Sequence, residues 1–141
     1  MNFSVGIHVL VQKEDKFLII KRNENDPDDP GCWDLPGGGI KFKENPYVAA
    51  VREVKEECNL DITDLRYFGS FGNLYNYRGV DYFTADTFFL CRPVDIKKLR
   101  LSKEASEVVL AEIKEFNLNK IAFDSIKAAL KKYKNGKMDI C

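Results

Sequence analysis

An α/β fold, with a mixed sheet held between helices, is predicted by three features of this 141-residue chain. Short runs rich in β-branched and apolar residues flank a central helical pattern, a second amphipathic helix comes late, and turn residues rather than linkers join the pieces. The length suits one domain, residues 1–141, with room for a real core.

Composition narrows the class. At 45% hydrophobic and 31% charged residues the chain reads as an ordinary globular protein. Lys+Arg and Asp+Glu are both 22, so a generalised nucleic-acid surface is not expected. No apolar run approaches the ~18 residues of a membrane span. The N-terminus lacks a basic leader and a small-residue cleavage site, so no signal peptide is expected. Cys32, Cys58, Cys91 and Cys141 are scattered with no CxxC pair. Free thiols in a reducing cytoplasm are the simplest reading.

Phe3 to Val11 and Lys16 to Lys21 read as two strands of a hairpin, with a polar turn from Gln12 to Asp15. His8, the one histidine, falls inside the first strand and is read as packed rather than catalytic. A Ser-His-Asp machine or a histidine-rich metal site is thereby disfavoured. Residues 22–32 form a loop in which Asp26, Asp28 and Asp29 are broken up by Pro27 and Pro30. They are read as a solvated turn near the mouth of a site rather than as ligands. Trp33 is read as a packing anchor before the run Gly37-Gly38-Gly39, which allows close backbone approach to a phosphate or metal.

A helix follows. Asn45 suits the N-cap, Pro46 the first helical position, and Asn59 the left-handed residue that ends it. Within it Glu53, Glu56 and Glu57 share one face, at 0°, about −60° and about +40° for 100° per residue. Tyr47, Val51, Val54 and Cys58 lie between about 100° and 160°, which predicts a separate buried stripe. Like charges at this spacing cost roughly 0.2–0.5 kcal/mol per pair. A hard divalent cation bound to carboxylate oxygen would reverse that sign.

Ile62 to Phe71 and Val80 to Cys91 read as long strands joined at Tyr77-Arg78-Gly79. Their aromatic residues are read mainly as sheet or core, with one or two free to stack on a nucleobase. Arg78 is either a solvated turn residue or a bidentate phosphate contact. An acidic lead from Ser102, including Glu104 and Glu107, enters a strand at Val108 to Ile113. Lys114 to Asn119 reads as a linking turn. Asp124 is expected to cap a last helix, Ser125 to Tyr133, with Ile126, Ala129, Leu130 and Tyr133 inward.

Gly38, Glu44, Arg52-Glu53, Val54, Glu56-Glu57 and Leu60 together resemble the signature box of the Nudix hydrolases. The lead-in Trp33, Pro36, Gly37, Gly38 is similar too. One position departs: the family's closing glycine is Asn59 here, the residue next best able to hold that backbone shape. The resemblance implies an α/β/α sandwich with a mixed sheet. It also implies hydrolysis of a diphosphate linkage in a nucleoside diphosphate derivative, with Mg²⁺ or Mn²⁺ as cofactor. Glu53, Glu56, Glu57 and the Gly38 carbonyl would hold the metal. Glu44 and Arg52 would pair structurally, and Gly37, Gly38 and Arg78 would touch substrate. A helix glutamate, or Glu104 or Glu107, would accept the proton of the attacking water.

The aromatic segment 69–89 looks similar to ADP-ribose or dinucleotide pyrophosphatases, so an ADP-containing dinucleotide or nucleotide sugar is favoured. The alternatives are a housekeeping nucleoside triphosphate pyrophosphohydrolase of the oxidised-nucleotide type, and a non-catalytic nucleotide sensor. The expected partner is a small-molecule nucleotide in the cytoplasm, with no nucleic acid and no membrane. A homodimer is left open.

Overall fold

The computed structural model describes residues 2–26, 30–103 and 105–135. The strands are β1 (Asn2–Lys13), β2 (Lys16–Arg22), β3 (Trp33–Asp34), β4 (Gly37–Gly39), β5 (Ile62–Tyr77), β6 (Val80–Pro93) and β7 (Ala105–Ala111). The helices are α1 (Pro46–Cys58) and α2 (Asp124–Lys134). The sheet runs β3-β2-β1-β6-β5, with β4 on β1 and β7 on β2. Only β1 and β6 pair in parallel; the other named pairs are antiparallel, so the sheet is mixed.

Strand alternation builds the layers. Ile7, Val9, Val11, Leu18 and Ile20 pack with Ala49, Ala50, Val54 and Cys58 of α1. Leu10, Phe17 and Ile19 point the other way, onto Ile126, Ala129 and Leu130 of α2. A period of two along β1 and β2 therefore feeds two cores, one beneath each helix. This is the α/β/α layering, and it sandwiches β1 between the helices.

Three expectations change in detail. β5 runs on from the expected Phe71 to Tyr77, because cross-strand hydrogen bonds to β6 continue through polar residues, while β6 starts at Val80 as expected and ends two residues later, at Pro93. The late strand is Ala105–Ala111, set by its register against β2, rather than 108–113. Asp124 is the first residue of α2, not its cap: Phe123 holds that position without a side-chain bond. Asp124 then serves as an acid in the first turn, where the helix dipole favours it, and pairs with Lys127 Nζ at 3.6 Å.

Candidate active site

The site begins with how α1 is placed. Asn45 Oδ1 accepts the Tyr47 N–H at 2.8 Å and Pro46 opens the helix. At the far end Asn59 takes φ 58°, ψ 27°, and its N–H bonds to Lys55 O. The helix lies over β4, which pairs with β1 at Gly39–Gly6, Gly38–Ile7 and Gly37–His8. A side chain at either of two of these glycines would clash, at Gly37 with fixed backbone and at Gly38 with a carboxylate that would have to move. A Cβ at Gly38 would sit 2.7 Å from Glu53 Oε1, and one at Gly37 would sit 2.1 Å from the Ile7 carbonyl oxygen. Without side chains on β4, the glutamates of α1 rest against its backbone.

That approach rotates the helix from the expected orientation. The buried residues of α1 are Ala49, Ala50, Glu53, Val54 and Cys58. Tyr47 and Val51, expected in the buried stripe, are 47% and 45% exposed. The buried arc therefore includes Glu53 and borders Glu57, because glycine and alanine let backbones approach where valine and tyrosine would not.

The three glutamates are treated differently. Glu53 is buried, and its Oε1 accepts Arg52 Nη1 at 2.8 Å. Glu57 is half-buried, and its Oε2 accepts the Gly37 N–H at 3.3 Å. Glu56 stands at the rim with its Oε2 3.2 Å from Arg52 Nη1. Among the described residues, no three acidic, histidine or cysteine side chains already converge as a metal cage.

Arg52 ties the unit together. Its Nε and Nη2 donate to the two Glu44 oxygens at 2.7 and 2.8 Å, and Nη2 also reaches Gly39 O at 3.2 Å. Glu44 in turn accepts the Lys41 N–H at 3.0 Å. These hydrogen bonds, the Arg52 guanidinium first, hold the Glu44 carboxyl down at about 2. The pair clamps the glycine-bearing loop to the helix.

Beside Glu57 opens a cavity of about 180 Å³, lined by Lys21, Arg22, Asp26, Asp34, Gly37 and Ser102 among others. Arg22 Nη1 donates to Asp34 Oδ2 at 3.0 Å and Nη2 forks to both Asp26 oxygens at 3.2 Å. Burial works against the Arg22 charge, but Asp34 and Asp26 outweigh it and raise its pKa. For Asp34 burial wins, and its pKa is raised despite His8 and Arg22.

Residues 2–132 of the chain match the model of the NUDIX domain. The chain belongs to the Nudix hydrolase family. An ADP-ribose pyrophosphatase of Methanocaldococcus jannaschii is 40% identical over 57 residues, 40% of this chain and 32% of that protein. An RNA pyrophosphohydrolase of Hydrogenovibrio crunogenus is 39% identical over 66 residues, 47% of this chain and 36% of that protein. The chain thus spans about a third of the length of these curated relatives. A crystal structure of a Nudix hydrolase from Nitrosomonas europaea aligns with TM-score 0.74 at 26% identity, covering 97% of this chain and 73% of that one.

Nudix hydrolases use divalent metals, and the residues present fit one. Glu53 and Glu57 of α1 offer hard oxygen donors beside a strand stripped of side chains, Glu53 next to Gly38 and Glu57 accepting the Gly37 N–H.

Other sequence-selected residues fall elsewhere. Arg78 is at the tip of the β5–β6 hairpin, φ 52°, with its guanidinium 5.2 Å over the Tyr77 ring. The Val80 row lies eight residues from the Phe88 row that adjoins His8 and Gly37. At ~3.3 Å per residue that is roughly 25 Å, so the structure places Arg78 at the hairpin turn and does not bring it to the cavity beside Glu57. Glu107 is exposed on β7 opposite Lys21 and is not among the cavity's lining residues. Glu104, Asp28 and Asp29 lie outside the described residues. Asp26 is no free turn acid: it braces Arg22.

Sequence reading missed Lys21, Arg22 and Asp34 as lining residues. The available signal was a pair of cations ending an apolar strand run, and an acid between Trp33 and Leu35. His8 is packed, as expected. It stacks on Phe88 at 5.0 Å, between Asp34 and Asp86 at 3.9 and 3.5 Å. Asp86 also accepts Ser125 Oγ at 2.6 Å, which ties β6 to α2.

Proposed function

We propose that residues 1–141 act as a single Nudix domain hydrolysing a diphosphate linkage in a nucleoside diphosphate derivative, with Mg²⁺ or Mn²⁺. ADP-ribose, a dinucleotide or a nucleotide sugar is the favoured substrate. The observation that carries this reading is the facing of Glu57 and the bare Gly37 backbone with Arg22 and Lys21 across one cavity. Carboxylates for a metal and cations for phosphate oxygens are what a metal-bound diphosphate requires.

Glu53, Glu56, Glu57 and the Gly38 carbonyl are assigned as the metal-holding set. A cation there supplies neutralisation of phosphate charge and an acidified water. Arg22 and Lys21 hold the phosphate oxygens, and Glu44 with Arg52 keeps loop and helix in register. Water adds to one phosphorus and the bridging oxygen departs with its electron pair. A carboxylate takes the water proton, and Glu57, which lines the cavity, is the best placed of Glu53, Glu56, Glu57 and Glu107. We assign a cytoplasmic location, consistent with the free thiols of Cys32, Cys58 and Cys91. Among the described residues no helix is long and apolar enough to cross a membrane.

A second reading is removal of pyrophosphate from a triphosphate, free or at an RNA 5′ end. It is favoured by the RNA pyrophosphohydrolase relative, about as similar as the ADP-ribose pyrophosphatase. A panel of ADP-ribose, NADH, diadenosine polyphosphates, (deoxy)nucleoside triphosphates and 5′-triphosphate RNA, assayed with Mg²⁺, decides between them. Conversion of ADP-ribose to AMP and ribose 5-phosphate is expected. Hydrolysis of triphosphates alone would replace the first reading with the second, and a ligand bound but unchanged would mark a sensor.

A further inference from the structure

Behind the cavity a line of polar side chains runs on into the core. Arg22 and Asp34 line the cavity, whereas His8 and Asp86 do not. His8 and Asp34 are each 8% exposed, Asp86 4%, and Ser125 is fully buried. Asp34 Oδ1 lies 3.9 Å from His8 Nδ1, and His8 Nε2 lies 3.5 Å from Asp86 Oδ2, which accepts the Ser125 hydroxyl. Phe123 touches two members of the line. Its ring is 6.1 Å from the His8 ring and 5.7 Å from the Arg22 guanidinium. Gly6 makes room for Asp86, since a Cβ there would stand 2.6 Å from Asp86 Oδ1. The line joins β2, β3, β1, β6 and α2 in turn.

Buried polar groups hold their places by complete partnering, and this line is incomplete at one atom. His8 Nδ1 is buried with no hydrogen-bond partner. Its distance to Asp34 Oδ1 is about 1 Å longer than a usual N–H···O bond. The Arg22 end shows the opposite condition. Nη1 is taken by Asp34, and Nη2 by both oxygens of Asp26. A phosphate oxygen that took Nη1 would strip a buried carboxyl of its guanidinium, which is costly unless another group replaces it. His8 Nδ1 is the group beside it. Burial raises the Asp34 pKa, which favours keeping a proton between Oδ1 and Nδ1. One proton there makes the bond, whichever of the two atoms carries it.

We propose that His8 is a positioning residue for phosphate binding: its Nδ1 takes up the Asp34 carboxyl as phosphate oxygens draw Arg22 Nη1 into the cavity. The imidazole never reaches substrate. It acts through Asp34 and Arg22, with Asp86 and Ser125 fixing it from behind. This rests on the reading of Arg22 as a holder of phosphate oxygens.

The probe is α,β-methylene ADP with Mg²⁺, a diphosphate whose carbon bridge water cannot open, titrated calorimetrically into the full chain. Arg22→Gln should raise Kd roughly tenfold or more, the scale of a lost charge-assisted hydrogen bond. His8→Phe, which keeps the stack on Phe88, should raise it by about three- to tenfold. The double variant should bind no worse than Arg22→Gln, because residues in one network are not additive. The Asn amide reaches where Nδ1 stands and the Gln amide where Nε2 stands. His8→Asn should therefore recover most of the affinity that His8→Phe loses, and His8→Gln should not. A merely structural histidine would order these variants by Tm and not by Kd.

His8 is the one histidine of the chain, so in untagged protein the imidazole proton signals are its own. Saturation with the probe should shift them in wild type and leave them in place in Arg22→Gln. That spectrum decides the matter should the double variant fail to fold. Additive losses, a His8→Asn no better than His8→Phe, or imidazole signals unmoved at saturation would overturn the role of His8 and leave Arg22 standing. An unchanged Kd in Arg22→Gln would instead remove Arg22 from the phosphate site, and this inference with it.

Discussion

At the scale of single residues, three glycines in a row do three different jobs. Gly37 is pressed against the Ile7 carbonyl, Gly38 against the Glu53 carboxylate, and a Cβ at Gly39 would meet nothing within 4 Å. Gly37→Ala should therefore destabilise by about 1–3 kcal/mol, as overpacking against backbone does. Gly38→Ala should displace Glu53 and lower kcat more than it lowers Tm, and Gly39→Ala should be near neutral. Thermal melts with kcat for each variant check the ranking. Glu57→Gln should cut kcat by about two to four orders of magnitude, the range for losing a positioned proton acceptor, while Tm holds. A near-wild-type rate in that variant removes Glu57 from the machinery.

Glu44 adds a pH dependence whose sign is set by its lowered pKa. Its ordinary value is 4.5 and the folded one about 2, so its contribution is complete above the ordinary value and is lost as pH falls between them. Glu44→Gln should be less stable than wild type above about pH 5, and the gap should close toward pH 2. Urea midpoints of the two proteins across that range measure it.

At the scale of elements, the two asparagines that bound α1 differ in what they supply. Asn45 gives a side-chain acceptor, so Asn45→Ala should cost about 1 kcal/mol. Asn59 holds a left-handed backbone, and its Nδ2 donates to Lys98 O at 3.0 Å. Asn59→Gly should be close to neutral, trading that bond for an unstrained φ, while Asn59→Val should cost about 1–2 kcal/mol. Chemical denaturation distinguishes the two. The boundaries of α1 were legible because caps are local chemistry. The length of β5 was not, because hydrogen bonds to β6 extend pairing past the end of its apolar pattern, from Phe71 to Tyr77.

At the scale of the whole molecule, the site exists where three separated segments meet. β4 brings the bare backbone, α1 the glutamates, and the end of β2 the cations. Segment 100–102 closes over the end of α1, with Arg100 and Ser102 N–H groups bonded to the Cys58 and Glu57 carbonyls at 3.0 Å. A metal bound there links these segments in the folded state only. Mg²⁺ or Mn²⁺ at one hundred times its Kd should then add about 2.7 kcal/mol of stability, and a chelator should remove it together with activity. Calorimetry with and without metal, on wild type and Glu53→Gln, tests this; an equal Tm rise in both would place the metal elsewhere.

By itself the sequence determined the caps of α1, the spacing of its glutamates, the glycine run beside them, the hairpins and the Glu44–Arg52 pairing partners. The caps, spacing, glycine run and hairpins follow from periodicity and turn chemistry within a few residues; the Glu44–Arg52 pairing is implied only by the resemblance to the Nudix box. Tertiary structure alone decided which arc of α1 is buried, that Glu57 rather than Glu56 lines the cavity, that Arg22 and Asp34 face it, and that Arg78 ends some 25 Å away at ~3.3 Å per residue. The reason is one of range. A helix wheel says which residues share a face, but the face that meets the sheet is chosen by the closest backbone approach. Here that choice was made by glycines on a strand well before the helix begins.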